Sequence, residues 1–199
     1  MGVEVGFKEE VDFRPEEMKP VQEEVSGDHR MSEAEKEELE KLRALIAKMG
    51  KPKRKIVQKK AISAPEVLNE APTYGSAFSR GLRIELPGYS LLFISGTASV
   101  NEEGKTVHVG DFKAQVWRTF RNITALLASE GATWHDVVRT TCYLRDIDRD
   151  YKAFNEVRTQ FYKELGLDPL PASTGVQAKI CRSDLLVEIE AIAIIPRED

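Results

Sequence analysis

Nine consecutive residues near the C-terminus constrain the fold more than any other part of the chain. Leu185-Leu186-Val187-Glu188-Ile189-Glu190-Ala191-Ile192-Ala193 alternates, and a strand sends successive side chains to opposite faces of its sheet. Leu185, Val187, Ile189, Ala191 and Ala193 therefore share one apolar face, while Glu188 and Glu190 fall on the other with Leu186, Ile192 and Ile194. The apolar face requires a sheet covered on that side. The mixed face reads in two ways. Carboxylates among apolar neighbours tend to raised pKa values and suit general acid/base work; a sheet face half open to water, or to a neighbouring subunit, has the same pattern.

Two amphipathic segments supply the cover. After Gly110-Asp111, residues Val116, Phe120, Ile123 and Leu127 recur at helical spacing and end at Gly131. A second helix, capped by Asp148, would bury Tyr151, Phe154, Val157, Phe161 and Leu165 and stop at Gly166 and Pro169. Strands are predicted at Leu82–Glu85 and Leu91–Ser95 around the Pro87-Gly88 turn, at Val137–Leu144, at Val176–Ile180 and at Leu185–Ile195. The order ββ-α-β-α-ββ defines an α+β domain with two helices packed on one face of a sheet.

The first third of the chain has a different texture. Residues 1 to 30 hold nine acids against four bases and few large apolar residues, too little to offset the entropy of ordering. Ser32 and Glu35 fit a capping box. Leu39, Leu42, Ile46 and Met49 then form a narrow apolar stripe on a helix over about 32–49, closed by Gly50 and Pro52. Lys51-Pro52-Lys53-Arg54-Lys55 follows, with Lys59 and Lys60 close behind; no aromatic residue is interleaved for base stacking, so it reads as a solvated basic linker. The chain thus divides into an N-terminal extension, residues 1–60, and a domain over 61–199.

Composition narrows the function classes. With 41% hydrophobic and 31% charged residues, no apolar run nears the ~20 residues of a membrane span, and no basic-then-apolar leader opens the chain; a cytoplasmic location is expected. A net charge of −4 gives no global drive toward nucleic acid. Cys142 and Cys181 are too few for a disulfide framework, and His29, His108 and His135 stand apart, so neither a metal nor a cofactor is expected.

Besides Glu188, four features offer chemistry. Ser95-Gly96-Thr97 closes a strand with a small turn where a ligand can approach the backbone. Asn155 lies near the second helix's apolar stripe, where a buried amide needs partners, as a ligand contact or as a loop brace. Pro171-Ala172-Ser173-Thr174-Gly175 leads into a strand with two hydroxyls and a glycine, a setting for a small anion pocket. Tyr74 stands in the stretch Tyr74-Gly75-Ser76. No Ser-His-Asp pattern, nucleophile elbow or phosphate-binding GxxxxGK[ST] motif occurs.

Taken together, Tyr74-Gly75-Ser76, Phe93-Ile94-Ser95-Gly96, Gly131-Ala132-Thr133-Trp134-His135-Asp136-Val137-Val138, Thr140-Thr141-Cys142-Tyr143-Leu144-Arg145-Asp146, Phe154-Asn155-Glu156-Val157, Pro171-Ala172 and Val187–Ala193 resemble the Rid (reactive intermediate deaminase, YjgF-type) superfamily over residues 72–195. The resemblance implies a chorismate-mutase-like α+β fold, a homotrimer with ligand clefts between subunits, and hydrolysis of imines and enamines without metal or cofactor. Carried over by position, Tyr74, Ser95, Gly96 and Asn155 line the cleft with Ser173, Thr174 and Gly175, and Glu188 holds the attacking water. One departure stands out: the family's Pro-Ala-Arg-Ser motif, whose arginine grips the substrate carboxylate, has Ser173 at the arginine position. Arg182 is the nearest cation in sequence.

Three functional readings follow. The first is a Rid-like protein that binds a small metabolite between subunits and hydrolyses an imine, enamine or related compound. The second is a chorismatase-like hydrolase, although such chains usually carry two of these domains. The third is a non-catalytic binding or assembly subunit, whose helix 32–49 docks on a protein partner.

Overall fold

The computed structural model describes residues 31–50 and 57–197, apart from the side chain of Tyr74. The acidic segment 1–30 and the basic run 51–55 lie outside the described residues. The chain divides into two units, Met1–Arg54 and Lys55–Asp199.

In the first unit, helix α1 spans Glu33–Met49. Its start is the expected capping box: Glu35 N donates to Ser32 Oγ at 3.2 Å, and Ser32 N donates to Glu35 Oε2 at 2.6 Å. Gly50 ends it at φ +61°, a conformation costly for residues with a Cβ. Leu42, Ile46 and Met49 are exposed, as is Leu45, so the apolar stripe is wider than the four predicted positions.

The second unit is a six-stranded mixed sheet of order β1-β2-β3-β6-β4-β5. Its strands are β1 (Lys59–Ile62), β2 (Gly81–Leu86), β3 (Tyr89–Ala98), β4 (Val137–Leu144), β5 (Ala172–Gln177) and β6 (Val187–Pro196). Neighbouring strands are antiparallel except β4 and β5. A parallel pair needs a long crossover, supplied by helix α3 (Ile147–Glu164). Helix α2 (Phe112–Ala128) links β3 to β4, its first turn capped by Asp111, which accepts from Ala114 N at 3.0 Å.

Both helices lie on one sheet face, and one core joins them to it. Leu92, Ile94, Cys142, Leu144, Val187, Ile189, Ala191 and Ala193 meet Val116, Phe120, Ile123 and Leu127 of α2 and Phe154 and Val157 of α3. Phe120 and Phe161 stack at 4.5 Å, and Trp134 meets both edge-on. The alternation that opened the sequence reading is realised: Leu185, Val187, Ile189, Ala191 and Ala193 are all buried. Among the described residues of this unit no helix lies on the opposite face, which presents Leu82, Phe93, Ile192 and Ile194, partly or largely exposed.

Several local expectations change. Lys59 and Lys60, read as linker, begin β1, a four-residue edge strand whose one buried residue is Ile62; so short a run with three exposed positions leaves almost no periodic signal. Asp146, not Asp148, caps α3, accepting from Arg149 N at 3.0 Å. Tyr151 and Leu165 are exposed, and Tyr162 is buried in their stead, because the helix presents a narrower stripe to its neighbours than the apolar pattern suggests. The segment Ala172–Gln177 is already strand, so the hydroxyl-rich stretch is the body of β5 rather than a loop before it. Its parallel partnership with β4 overrides weak propensity.

Candidate functional site

The mixed face of β6 carries Glu188 and Glu190 as the alternation requires. Opposite them, β3 does not end at Ser95-Gly96-Thr97 as expected but continues to Ala98, with its register against β6 shifting between Ile94 and Thr97. Such a bulge inserts an extra residue and re-aims its neighbours. Gly96 sits in it under the Glu188 carboxylate: a Cβ built there would lie 2.0 Å from Glu188 Oε1. Glycine is thus required for close approach rather than for a left-handed φ. Ser95 is fixed beside it, its hydroxyl donating to Ser79 O at 2.8 Å and its amide to Arg80 O at 3.0 Å.

Glu188 is half-buried and accepts no hydrogen bond among the described residues. Burial first, then the nearby Glu190 charge, pushes its carboxyl above the ordinary range, while Arg80 pulls it back. Glu190 by contrast accepts from Tyr143 Oη at 3.1 Å. A cavity of about 130 Å³ opens beside Glu188, lined also by Gly96, Arg80, Cys181 and Arg182. Arg80 is buried and anchored on Asn69, with Nε to the carbonyl at 2.7 Å and Nη2 to Oδ1 at 3.0 Å. Arg182 donates to Gly104 O at 2.7 Å.

The loop that brings Arg182 here is braced from inside. Arg145 donates to the carbonyls of Leu185 (2.6 Å), Ile180 (3.3 Å) and Arg182. Gln115, fully buried, donates to Asp184 O at 2.8 Å and accepts from Leu186 N at 2.8 Å. These contacts fix the entry into β6 and hence the position of Glu188.

Asn155, Ser173 and Gly175 gather elsewhere, between α3 and β5. Ser173 pairs with Thr140 in register and faces the helix side, where the Thr140 hydroxyl donates to its own at 3.0 Å. Arg158 completes the group. Its Nη1 donates to Ser173 Oγ at 3.0 Å and its Nη2 to Asn155 Oδ1 at 2.5 Å. Asn155 Nδ2 donates to Tyr151 O at 3.1 Å, so the amide braces its own helix as well as the guanidinium. Thr174 points to the opposite face, accepting from Arg139 at 3.2 Å. A cavity of about 550 Å³ adjoins Ser173, lined also by Arg158, Tyr162, Lys163, Leu167 and Leu170.

Within one chain, then, the expected residues form two groups: Ser95, Gly96 and Glu188 in one, Asn155, Ser173 and Gly175 in the other. Tyr74 lies in a short 3-10 turn, Ala71–Tyr74, and its side chain is outside the described residues. Arg182 stands with Glu188, not with Ser173. Arg80 and Arg158 escaped the sequence reading, and Arg145 entered it only as part of a matched stretch, with no role given. For Arg158 the signal was present, a cation three residues after Asn155 on the same helical face. No group of three or more metal-ligating side chains occurs among the described residues, nor is any helix among them long and apolar enough to cross a membrane.

A six-stranded mixed sheet with two helices on one face, and polar side chains gathered in two separate groups, make up a small α+β domain. The family model described as Endoribonuclease L-PSP matches residues 69–195, and the chain belongs to that family, within the Rid/YjgF superfamily. A RutC family protein of Pyrococcus abyssi is 32% identical over 132 residues, 65% of this chain and 97% of the relative. The protein named 3-aminoacrylate deaminase RutC of Acinetobacter baylyi is 32% identical over 104 residues, 52% of this chain and 79% of its own. Among solved structures, E. coli TdcF with bound serine superposes with a TM-score of 0.57 at 25% identity, covering 70% of this chain and 99% of TdcF. Both α1 and β1 precede the matched range.

Proposed function

We propose that this protein binds a small metabolite in clefts between the subunits of a homotrimer and hydrolyses an imine or enamine there, Glu188 holding the attacking water. The observation that carries this is the Glu188 carboxylate: half-buried, without a hydrogen-bond donor among the described residues, and seated over the bare Cα of Gly96. A carboxylate so placed has lone pairs for a water and a basicity raised toward the working range of a general base. The resemblance to a protein named 3-aminoacrylate deaminase supports the substrate class.

In the reaction an enamine first takes a proton at carbon as its nitrogen gives one up, and becomes the imine. Water then adds to the imine carbon as Glu188 accepts its proton, which passes to nitrogen to give a carbinolamine. The hydroxyl proton follows by way of Glu188 as the C–N bond breaks, and a carbonyl compound and ammonia leave. The group around Ser173 supplies the far wall of the cleft from the adjacent subunit. The test is release of keto acid and ammonia from imines generated by an amino-acid oxidase. Turnover by the unmodified protein and none by Glu188→Gln, with the trimer retained, is expected; no turnover by the unmodified protein would overturn the proposal.

A second reading rests on α1, whose Leu42, Leu45, Ile46 and Met49 are exposed. An assembly subunit would use that stripe to hold a partner protein. Deleting residues 1–54 would then release the partner while leaving any turnover unchanged.

A further inference from the structure

The cavity beside Ser173 is lined by two cations, Arg158 and Lys163, and by no acid. Arg158 has no carboxylate within ion-pair distance among the described residues; both of its hydrogen bonds go to neutral oxygens, Ser173 Oγ and Asn155 Oδ1. A guanidinium carries five donors in a planar fork suited to a carboxylate. Its plane is steadied by the Phe154 ring, 5.0 Å from the guanidinium carbon. Tyr162 lines the same cavity with 6% of its surface exposed, and burial pushes its phenol up to about 12, so it brings no negative charge to the site at neutral pH.

From this geometry we infer that Arg158 is the anion-binding residue of the cleft, its guanidinium delivered from α3 to the point on β5 where Ser173 stands, and that the ligand is a small carboxylate. Ser173 is then no loss. Its short side chain leaves room for the arginine head, and its hydroxyl accepts one N–H and fixes the orientation of the fork. The charge reaches the cleft from the helix in place of the strand. Arg182, on Glu188's side, is not the replacement.

This inference rests on the cleft reading above, and the experiment separates the two. Binding of pyruvate and of its uncharged analogue pyruvamide to the full-length protein is measured by ligand-detected NMR for the unmodified chain, Arg158→Gln and Arg158→Lys. Removing a desolvated charge-assisted contact should weaken pyruvate by roughly 30-fold to several-thousand-fold. Lysine, with charge but no fork, should lie between glutamine and arginine, which shows that the site still folds. Pyruvamide should bind equally to all three. Equal pyruvate binding by the unmodified protein and Arg158→Gln overturns the assignment of Arg158 while leaving the cleft intact. No binding of either compound by the unmodified protein overturns the cleft reading and this inference with it.

Discussion

A methyl group at position 96 would have to displace the Glu188 carboxylate, because its Cβ would stand 2.0 Å from Oε1. Gly96→Ala is therefore expected to lower turnover at least about tenfold, the order of loss from misplacing a reacting group. The fold should remain, since a carboxylate at the end of a side chain can swing aside; circular dichroism with steady-state kinetics checks both. Glu188 also makes a stability prediction. Its carboxyl is harder to ionise in the folded chain than in the unfolded one, so its charge costs stability at pH above the raised value. The cost fades as pH falls through that value toward the ordinary one. Glu188→Gln should melt above the unmodified protein at pH 8, and the gap should close as pH approaches ~4.3, as thermal unfolding across pH would show. At this scale the sequence disclosed Glu188, because alternation fixes a residue's face. For Arg158 it offered only the helical spacing from Asn155, because the contact with Ser173 depends on a strand reached only after a loop.

The elements differ in how legible they were. The first helix of the domain carried four apolar residues at clean spacing, and all four are buried; β6 likewise followed its alternation. By contrast β5 is exposed at every position and β1 at three of four, so neither has a hydrophobic period, and only pairing with a neighbour makes them strands. The capping box of α1 was visible because it is a local pattern. The bulge in β3 was not, since it appears only in register against β6. From this follows a truncation test. A chain starting at Lys55 should fold with an unchanged unfolding midpoint. One starting at Ser63 loses β1 and Ile62, which is fully buried, and should lose about 2–5 kcal/mol in chemical denaturation.

For the whole molecule the apolar sheet face is the decisive feature. Phe93 is 39% exposed and Ile194 37%, with Leu82 and Ile192 beside them, an apolar surface of the kind that marks an interface. The proposed trimer covers it. Phe93→Lys changes a side chain that the described residues leave open, so the subunit should fold normally yet sediment as a monomer. The separation of Glu188 from Arg158 into two groups carries a genetic consequence. If each cleft joins the Glu188 group of one subunit to the Arg158 group of the next, then Glu188→Gln and Arg158→Gln lie in different halves of every cleft. Two inactive preparations, unfolded together and refolded as mixed trimers, should then complement one another. Random assortment leaves about a quarter of the clefts with both halves intact, so each dead variant would be revived by the other's damage lying elsewhere.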